Sequence, residues 1–130
     1  MYSMTTHGIT VSVETRFLDQ ESEPEKNIYV WSYHVRIENK GKETLQLRTR
    51  HWKITDAYGR NHEVRGEGVV GEQPTLKPGD TFEYTSGTPL QTPSGFMAGS
   101  YEMQRRDGSM LEVAIPSFSL DLPGMQRRLN

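Results

Sequence analysis

Ile28-Tyr29-Val30-Trp31-Ser32-Tyr33-His34-Val35-Arg36-Ile37-Glu38-Asn39 decides the fold. Tyr29, Trp31, Tyr33, Val35 and Ile37 fall on one side of an extended chain; Ser32, His34, Arg36 and Glu38 fall on the other. A period of two marks a half-buried strand, because successive side chains point to opposite faces. Aromatic and β-branched residues suit such a pleated surface. The spacing predicts a strand over 28–39 with its aromatic face in the core.

The same period recurs on either side. Ile9, Val11, Val13, Thr15 and Phe17 alternate with polar residues and predict a strand over 9–17. Residues 18–27, with Glu21, Glu23 and Glu25 around Pro24, read as a mobile loop. Asn39-Lys40-Gly41-Lys42 predicts a hairpin-like turn that reverses the chain. From Leu45 to Thr55 the phase slips: Leu45 and Leu47 share one face, Trp52 and Ile54 the other. One extra residue near Thr49–His51 would reconcile them, so a β-bulge is expected there.

Asp56-Ala57-Tyr58-Gly59 is a turn, followed by a short strand over 60–65. Leu76-Lys77-Pro78-Gly79-Asp80 is another turn, leading into a strand over 81–85. Residues 86–95 hold Gly87, Pro89, Pro93 and Gly95 and read as a loop. Met97, Gly99, Tyr101 and Met103 align in a strand over 96–105, and Asp107-Gly108 closes a hairpin. The last strand, 110–120, changes phase between Ile115 and Phe118, so Pro116 marks a bulge or an edge position.

Seven or eight short antiparallel strands without a helix predict an all-β fold, a sandwich of the immunoglobulin or fibronectin type III kind. The 130 residues suit one domain over 1–123, with 124–130 as a disordered tail. Only 33% of residues are hydrophobic. That suffices where alternate residues face inward and Tyr29, Trp31, Tyr33 and Trp52 supply the bulk.

Composition removes several functions. There is no cysteine, which excludes disulfides, thiolate metal sites and thiol nucleophiles. No apolar run is long enough to span a bilayer and no leader pattern opens the chain. A cytoplasmic protein without membrane insertion is expected. Net charge is −2 and the isoelectric point about 6.1, which weighs against nucleic acid as a partner. Arg48, Arg50, Lys53, Arg60 and Arg65 cluster around Trp52, but Asp56 and Glu63 dilute them. A solvated sheet face is the expected outcome.

Gly66-x-Gly68-x-x-Gly71 has the spacing of a dinucleotide fingerprint. That chemistry needs a following helix to hold pyrophosphate, and Pro74 and Pro78-Gly79 break one. An anion nest of backbone N–H groups beside Arg65 is the weaker version. Val69 and Val70 sit between glycines: exposed, they would contact a partner; buried, they would plug the core. Among His7, His34, His51 and His62, the pair His51 and His62 could meet across the 56–59 turn and hold a metal with a carboxylate. No G-x-S-x-G or comparable nucleophile motif occurs.

Trp52-Lys53-Ile54-Thr55-Asp56, Val64-Arg65-Gly66-Glu67-Gly68-Val69-Val70-Gly71-Glu72-Gln73-Pro74 and Leu76-Lys77-Pro78-Gly79 together resemble the ApaG domain family. Phe82-Glu83-Tyr84-Thr85-Ser86-Gly87, Leu90-Gln91-Thr92-Pro93, Gly95-Phe96-Met97-x-Gly99-Ser100-Tyr101 and Ile115-Pro116-x-Phe118-x-Leu120 extend the likeness over residues 3–123. The resemblance implies a fibronectin type III-like sandwich. It also implies an association of stand-alone members, alternatively named CorD, with cobalt tolerance and magnesium efflux, without an established biochemical activity. In eukaryotes the domain is joined to an F-box protein and to a polymerase delta-interacting protein, which implies a protein-interaction module. The resemblance supplies no catalytic residues.

The expected function is therefore a non-enzymatic binding module with a protein partner and no cofactor. Its expected site is Arg65, Gly66, Gly68, Val69, Val70 and Gly71. The alternative is a small-anion protein (phosphate or pyrophosphate) using the Gly66–Gly71 loop, or a divalent-metal protein using His51 and His62. Open edge strands also make a homodimer an expectation.

Overall fold

A computed structural model describes residues 1–122; the tail expected over 124–130 lies outside the described residues. Strands follow in chain order as β1 (Tyr2–Thr6), β2 (Ile9–Phe17), β3 (Tyr29–Asn39), β4 (Leu45–Asp56) and β5 (Asn61–Glu67), then β6 (Thr75–Leu76), β7 (Thr81–Leu90), β8 (Ser94–Arg105) and β9 (Met110–Asp121). One sheet has the order β1-β2-β3-β7 and the other β5-β4-β8-β9, with β6 beside β5 along β4. All neighbours are antiparallel. The two-sheet, fibronectin type III-like sandwich expected from the alternation is the fold.

The inward faces are the ones the period of two selects. Val11, Val13, Trp31, Val35, Ile37, Met97, Tyr101 and Met103 are buried. Tyr33 of one sheet meets Trp52 of the other at 5.2 Å between ring centroids, and Trp52 meets Phe118 edge-on at 5.9 Å. These tilted contacts lock the layers together.

Four local expectations are corrected. Asn39-Lys40-Gly41-Lys42 does not close a hairpin: β3 pairs with β2 and β7, while β4 lies in the other sheet, so the turn is a crossover. Buried Asn39 organises it. Its Nδ2 donates to the carbonyls of Glu43 and Leu76, at 2.7 and 2.9 Å, and its Oδ1 accepts the Gly41 N–H at 3.0 Å. Residues 86–90 are not loop but the second half of β7, paired with β3 from Tyr33 to Tyr29. Glycine and proline are tolerated because β7 is an edge strand. Residues 18–27 contain two short 3-10 turns, Asp19–Glu21 and Pro24–Lys26, tied down by Ser22. The Ser22 hydroxyl donates to the Leu18 carbonyl and accepts the Val30 N–H. β1 was not legible, and it brings the count to nine among the described residues.

Both phase slips are real. The first falls at Arg48, which β4 inserts between Leu47 and Thr49 against β8, just before the expected position. The second leaves Pro116 and Ser117 of β9 facing the single residue Ala98 between flanking pairs.

Tyr84 and Tyr101, one from each sheet, join their hydroxyls in the core. Burial raises the pKa of both phenols well above the ordinary value near 10. A raised pKa in the folded state means that stability is intact below pH 10. It is lost as pH rises through 10, where the unfolded phenols ionise first. We expect stability to fall by about 1.4 kcal/mol per pH unit for each of the two phenols above that point. Denaturant midpoints from pH 8 to 12 check this: Tyr84→Phe/Tyr101→Phe should flatten the decline.

Candidate functional site

β4 and β5 run side by side from Thr49 opposite Glu67 to Thr55 opposite Asn61. This register decides which side chains share a face. Trp52, Ile54, Val64 and His62 lie on the inner face with Arg50; His51, Lys53, Glu63 and Arg65 lie on the outer one. His51 and His62 are thus on opposite faces, and the metal site expected from them does not form. His51 instead bonds Glu63 through Nε2 at 2.9 Å, and that bond lowers the Glu63 pKa. Among the described residues no three His, Asp or Glu side chains converge in a way that could hold a metal ion.

The Gly66–Gly71 segment serves several ends. Gly66 leaves room for Arg50, whose Nη1 would lie 2.8 Å from a Cβ placed there. Arg50 Nη1 donates to the carbonyls of Glu67 and Gly68, at 3.1 and 2.9 Å. Gly68 has φ +65°, and a Cβ there would strike the Glu72 carbonyl at 2.3 Å. The Gly68 N–H donates to the Arg48 carbonyl, and the N–H groups of Val69 and Glu72 donate to each other's carbonyls. Those three amides therefore face protein oxygen rather than an open nest. Arg65 reaches outward, with Nη2 3.9 Å from Glu63.

The two valines divide the alternatives between them. Val69 is fully buried and plugs the core, while Val70 is 58% exposed. Val70 and Gly71 both have positive φ, 44° and 82°, the sign pattern of a type I′ turn. A β-branched residue there is strained. Val70→Asn, which suits this backbone, should raise stability by about 1 kcal/mol. Chemical denaturation checks this; a loss would mean that the valine packs.

The feature that no local motif announced is a cleft of about 770 Å³ between β5 and the second half of β7. Its floor is Tyr33, Trp52, Ile54, Val64 and Leu90, and Arg50, Asp56, Arg60 and His62 stand on its rim. Arg60 Nε donates to Asp56 Oδ2 at 2.6 Å, and its guanidinium lies 5.1 Å from the centroid of the exposed Tyr58 ring. Burial pushes the Asp56 pKa up, but hydrogen bonds from the backbone and side chain of Arg60 and the backbone of Tyr58 outweigh it, so the net shift is down. The volume falls in the range of small-molecule pockets. Arg50 joins this cleft to the root of the Val69–Val70 turn.

A hydroxyl–imidazole–carboxylate array lies elsewhere. His34 holds Thr85 Oγ1 at 2.7 Å on Nδ1 and Glu83 Oε1 at 2.8 Å on Nε2. It occupies the exposed outer face of the first sheet, outside the cleft lining. Hydroxyl catalysis needs oxyanion donors aimed at a shared point, and an open sheet face does not supply that enclosure.

The ApaG domain matches residues 19–105 of the chain. Protein ApaG of Rhodospirillum centenum is 62% identical over 130 residues, covering all of both chains. Protein ApaG of Parvibaculum lavamentivorans is 60% identical over the same full length. A crystal structure of a Bordetella pertussis protein described as ApaA is 50% identical, with a TM-score of 0.86 over 88% of this chain and 94% of that one. The C-terminal domain of Wzt shares the fold alone, at 13% identity and a TM-score of 0.54 over 92% of this chain and 76% of that one. Identity along the whole chain and the same sandwich in a solved relative agree with the motifs from Trp52 to Leu120: the chain belongs to the ApaG domain family.

Proposed function

We propose that the protein is a non-enzymatic binding module whose working surface is the flank between β5 and β7. The observation that carries this is the cleft, which offers an apolar floor and a polar rim of Arg50, His62 and the Arg60–Asp56 pair on a rigid two-sheet frame. Beside it, Val70 keeps an exposed and strained apolar side chain at the turn that Arg50 anchors. Strain held at a surface position is a pointer to use. The partner is a protein. The link to cobalt tolerance and magnesium efflux implied by the family resemblance fits as an effect exerted through that partner, since His51 and His62 do not meet. No helix among the described residues is long and apolar enough to cross a membrane.

Site-specific photo-crosslinking in the native cell tests the reading. A crosslinker replacing His62 or Val70 should capture a defined partner, and one replacing Met4, exposed on β1, should not. Equal capture from all three positions, or capture from Met4 alone, would place the contact elsewhere.

A further inference from the structure

The cleft is bordered by a strand edge whose hydrogen-bonding direction can be read. The Val30 carbonyl accepts the Leu18 N–H at 2.8 Å, and the Val30 N–H donates to Ser22 Oγ at 2.9 Å. Both groups thus point away from β7, so Val30 and its register partner Pro89 exchange no hydrogen bond. Alternation in an antiparallel ladder then turns the backbone groups of Thr85, Gly87 and Pro89 to the free edge of β7. Pro89, which has no N–H, stands where the ladder with β3 needs none, so on the free edge it offers only its carbonyl while Thr85 and Gly87 offer both groups. The edge from Ser86 to Leu90 carries no charged residue to repel an incoming strand. Those five residues line the cleft.

The polar groups on the rim are spaced for a strand. Arg50 stands at one end, and His62, opposite Ile54, stands with Arg60 at the other. Arg50 and Ile54 are four residues apart on β4, about 13 Å at the strand rise. Arg50 commits Nη1 to the Glu67 and Gly68 carbonyls, and Arg60 commits Nε to Asp56. Their other guanidinium nitrogens supply further donors. Trp52 and Val64 lie between the two ends.

We propose that the cleft takes an extended peptide of the protein partner, added as a strand on the free edge of β7. Acidic side chains at positions i and i+4 would face Arg50 at one end and Arg60 with His62 at the other, and an apolar side chain at i+2 would sit on Trp52 and Val64. Residues i, i+2 and i+4 of a strand share one face and span the distance from Arg50 to the His62 position. Main-chain hydrogen bonds supply affinity, and the alternate side chains supply selectivity.

The proposal rests on reading the cleft as the binding site, and one NMR experiment on the full chain separates the two. The probes are the capped peptides Ac-TETVTET-NH2 and Ac-TKTVTKT-NH2, with indole-3-acetate as a small aromatic carboxylate. The acidic peptide should shift the amides of Thr85, Gly87, His62 and Val64 and slow exchange of the Gly87 amide. The lysine peptide should bind at least tenfold more weakly, and Arg60→Gln should reduce that difference. Equal binding of both peptides, or shifts confined to other edges, would overturn the strand-addition proposal. If indole-3-acetate moves the cleft signals and neither peptide does, strand addition is overturned while the cleft stands as a binding site. If no probe moves them, both readings fall.

Discussion

Gly99→Ala should cost the protein about 4 kcal/mol or more, a large part of the stability of a domain this size. Gly99 lies on β8 opposite Trp52, with its missing side chain directed at the neighbouring strand. A Cβ would stand 2.3 Å from the His51 carbonyl oxygen and 3.1 Å from Trp52 Cε3. The nearer obstacle is backbone, which has no rotamer to move into. Overpacking in a dense core costs about 1–3 kcal/mol where side chains can yield, and more where they cannot. The second-site variant Trp52→Leu separates the causes. If the indole were the obstacle, Gly99→Ala would cost little in the Trp52→Leu background, so the double variant would be about as stable as Trp52→Leu alone. We expect the full cost of Gly99→Ala to persist there. Thermal and urea unfolding measure this directly, and a Gly99→Ala loss below about 1 kcal/mol would show that β8 shifts freely.

Asn39→Asp is the second severe change, although it alters almost no volume. The Asn39 amide nitrogen donates to the carbonyls of Glu43 and Leu76, and its oxygen accepts from Gly41. In the aspartate, the bond from Gly41 survives while two carbonyl oxygens face a buried oxygen instead of a donor. Each buried group left unpaired costs about 1–3 kcal/mol, and a charged one more. We expect a loss of about 3–5 kcal/mol at pH 7 by urea unfolding. Asn39→Ala should cost less than Asn39→Asp, because it adds no charge. If the two cost the same, the crossover would depend on the side-chain volume of Asn39 rather than on its donors.

The strands that could be read from the chain are those whose information is local. Tyr29 to Ile37 announce their own burial by alternation, and Leu47 to Trp52 announce a bulge by breaking it. β1 could not be read, because Ser3, Met4 and Thr5 sit exposed on a sheet edge and need no apolar pattern. The second half of β7 was hidden by Gly87 and Pro89, which punctuate loops and edge strands alike. The crossover at Asn39 carries ordinary turn chemistry, and only the non-local partners of β3 and β4 distinguish it from a hairpin. The candidate site divides in the same way. Glycine spacing marked a segment where conformation matters, but the cleft draws on β3, β4, β5 and β7, so no local stretch contains it. Parity could have separated His51 from His62: with Trp52 and Ile54 inward, His51 faces outward. Placing His62 required the register across the 56–59 turn, which the sequence leaves open.

Tyr2 packs on Phe118 at 5.9 Å between ring centroids, and its hydroxyl meets Ser119 Oγ at 2.9 Å, a bond between residues 117 positions apart. The two halves of this contact are therefore synthesised 117 positions apart. At about 5–20 residues per second, β1 waits roughly 6–24 seconds for β9 to emerge. Until then the flank between the sheets is open, β8 lacks its outer partner, and β1 and β2 lack the strand they pack on. Ribosome-bound intermediates stopped before Phe118 should consequently be protease-sensitive and prone to capture by chaperones. Pairing of β9 with β8 and its packing on β1 and β2 is the event that converts them to a closed domain.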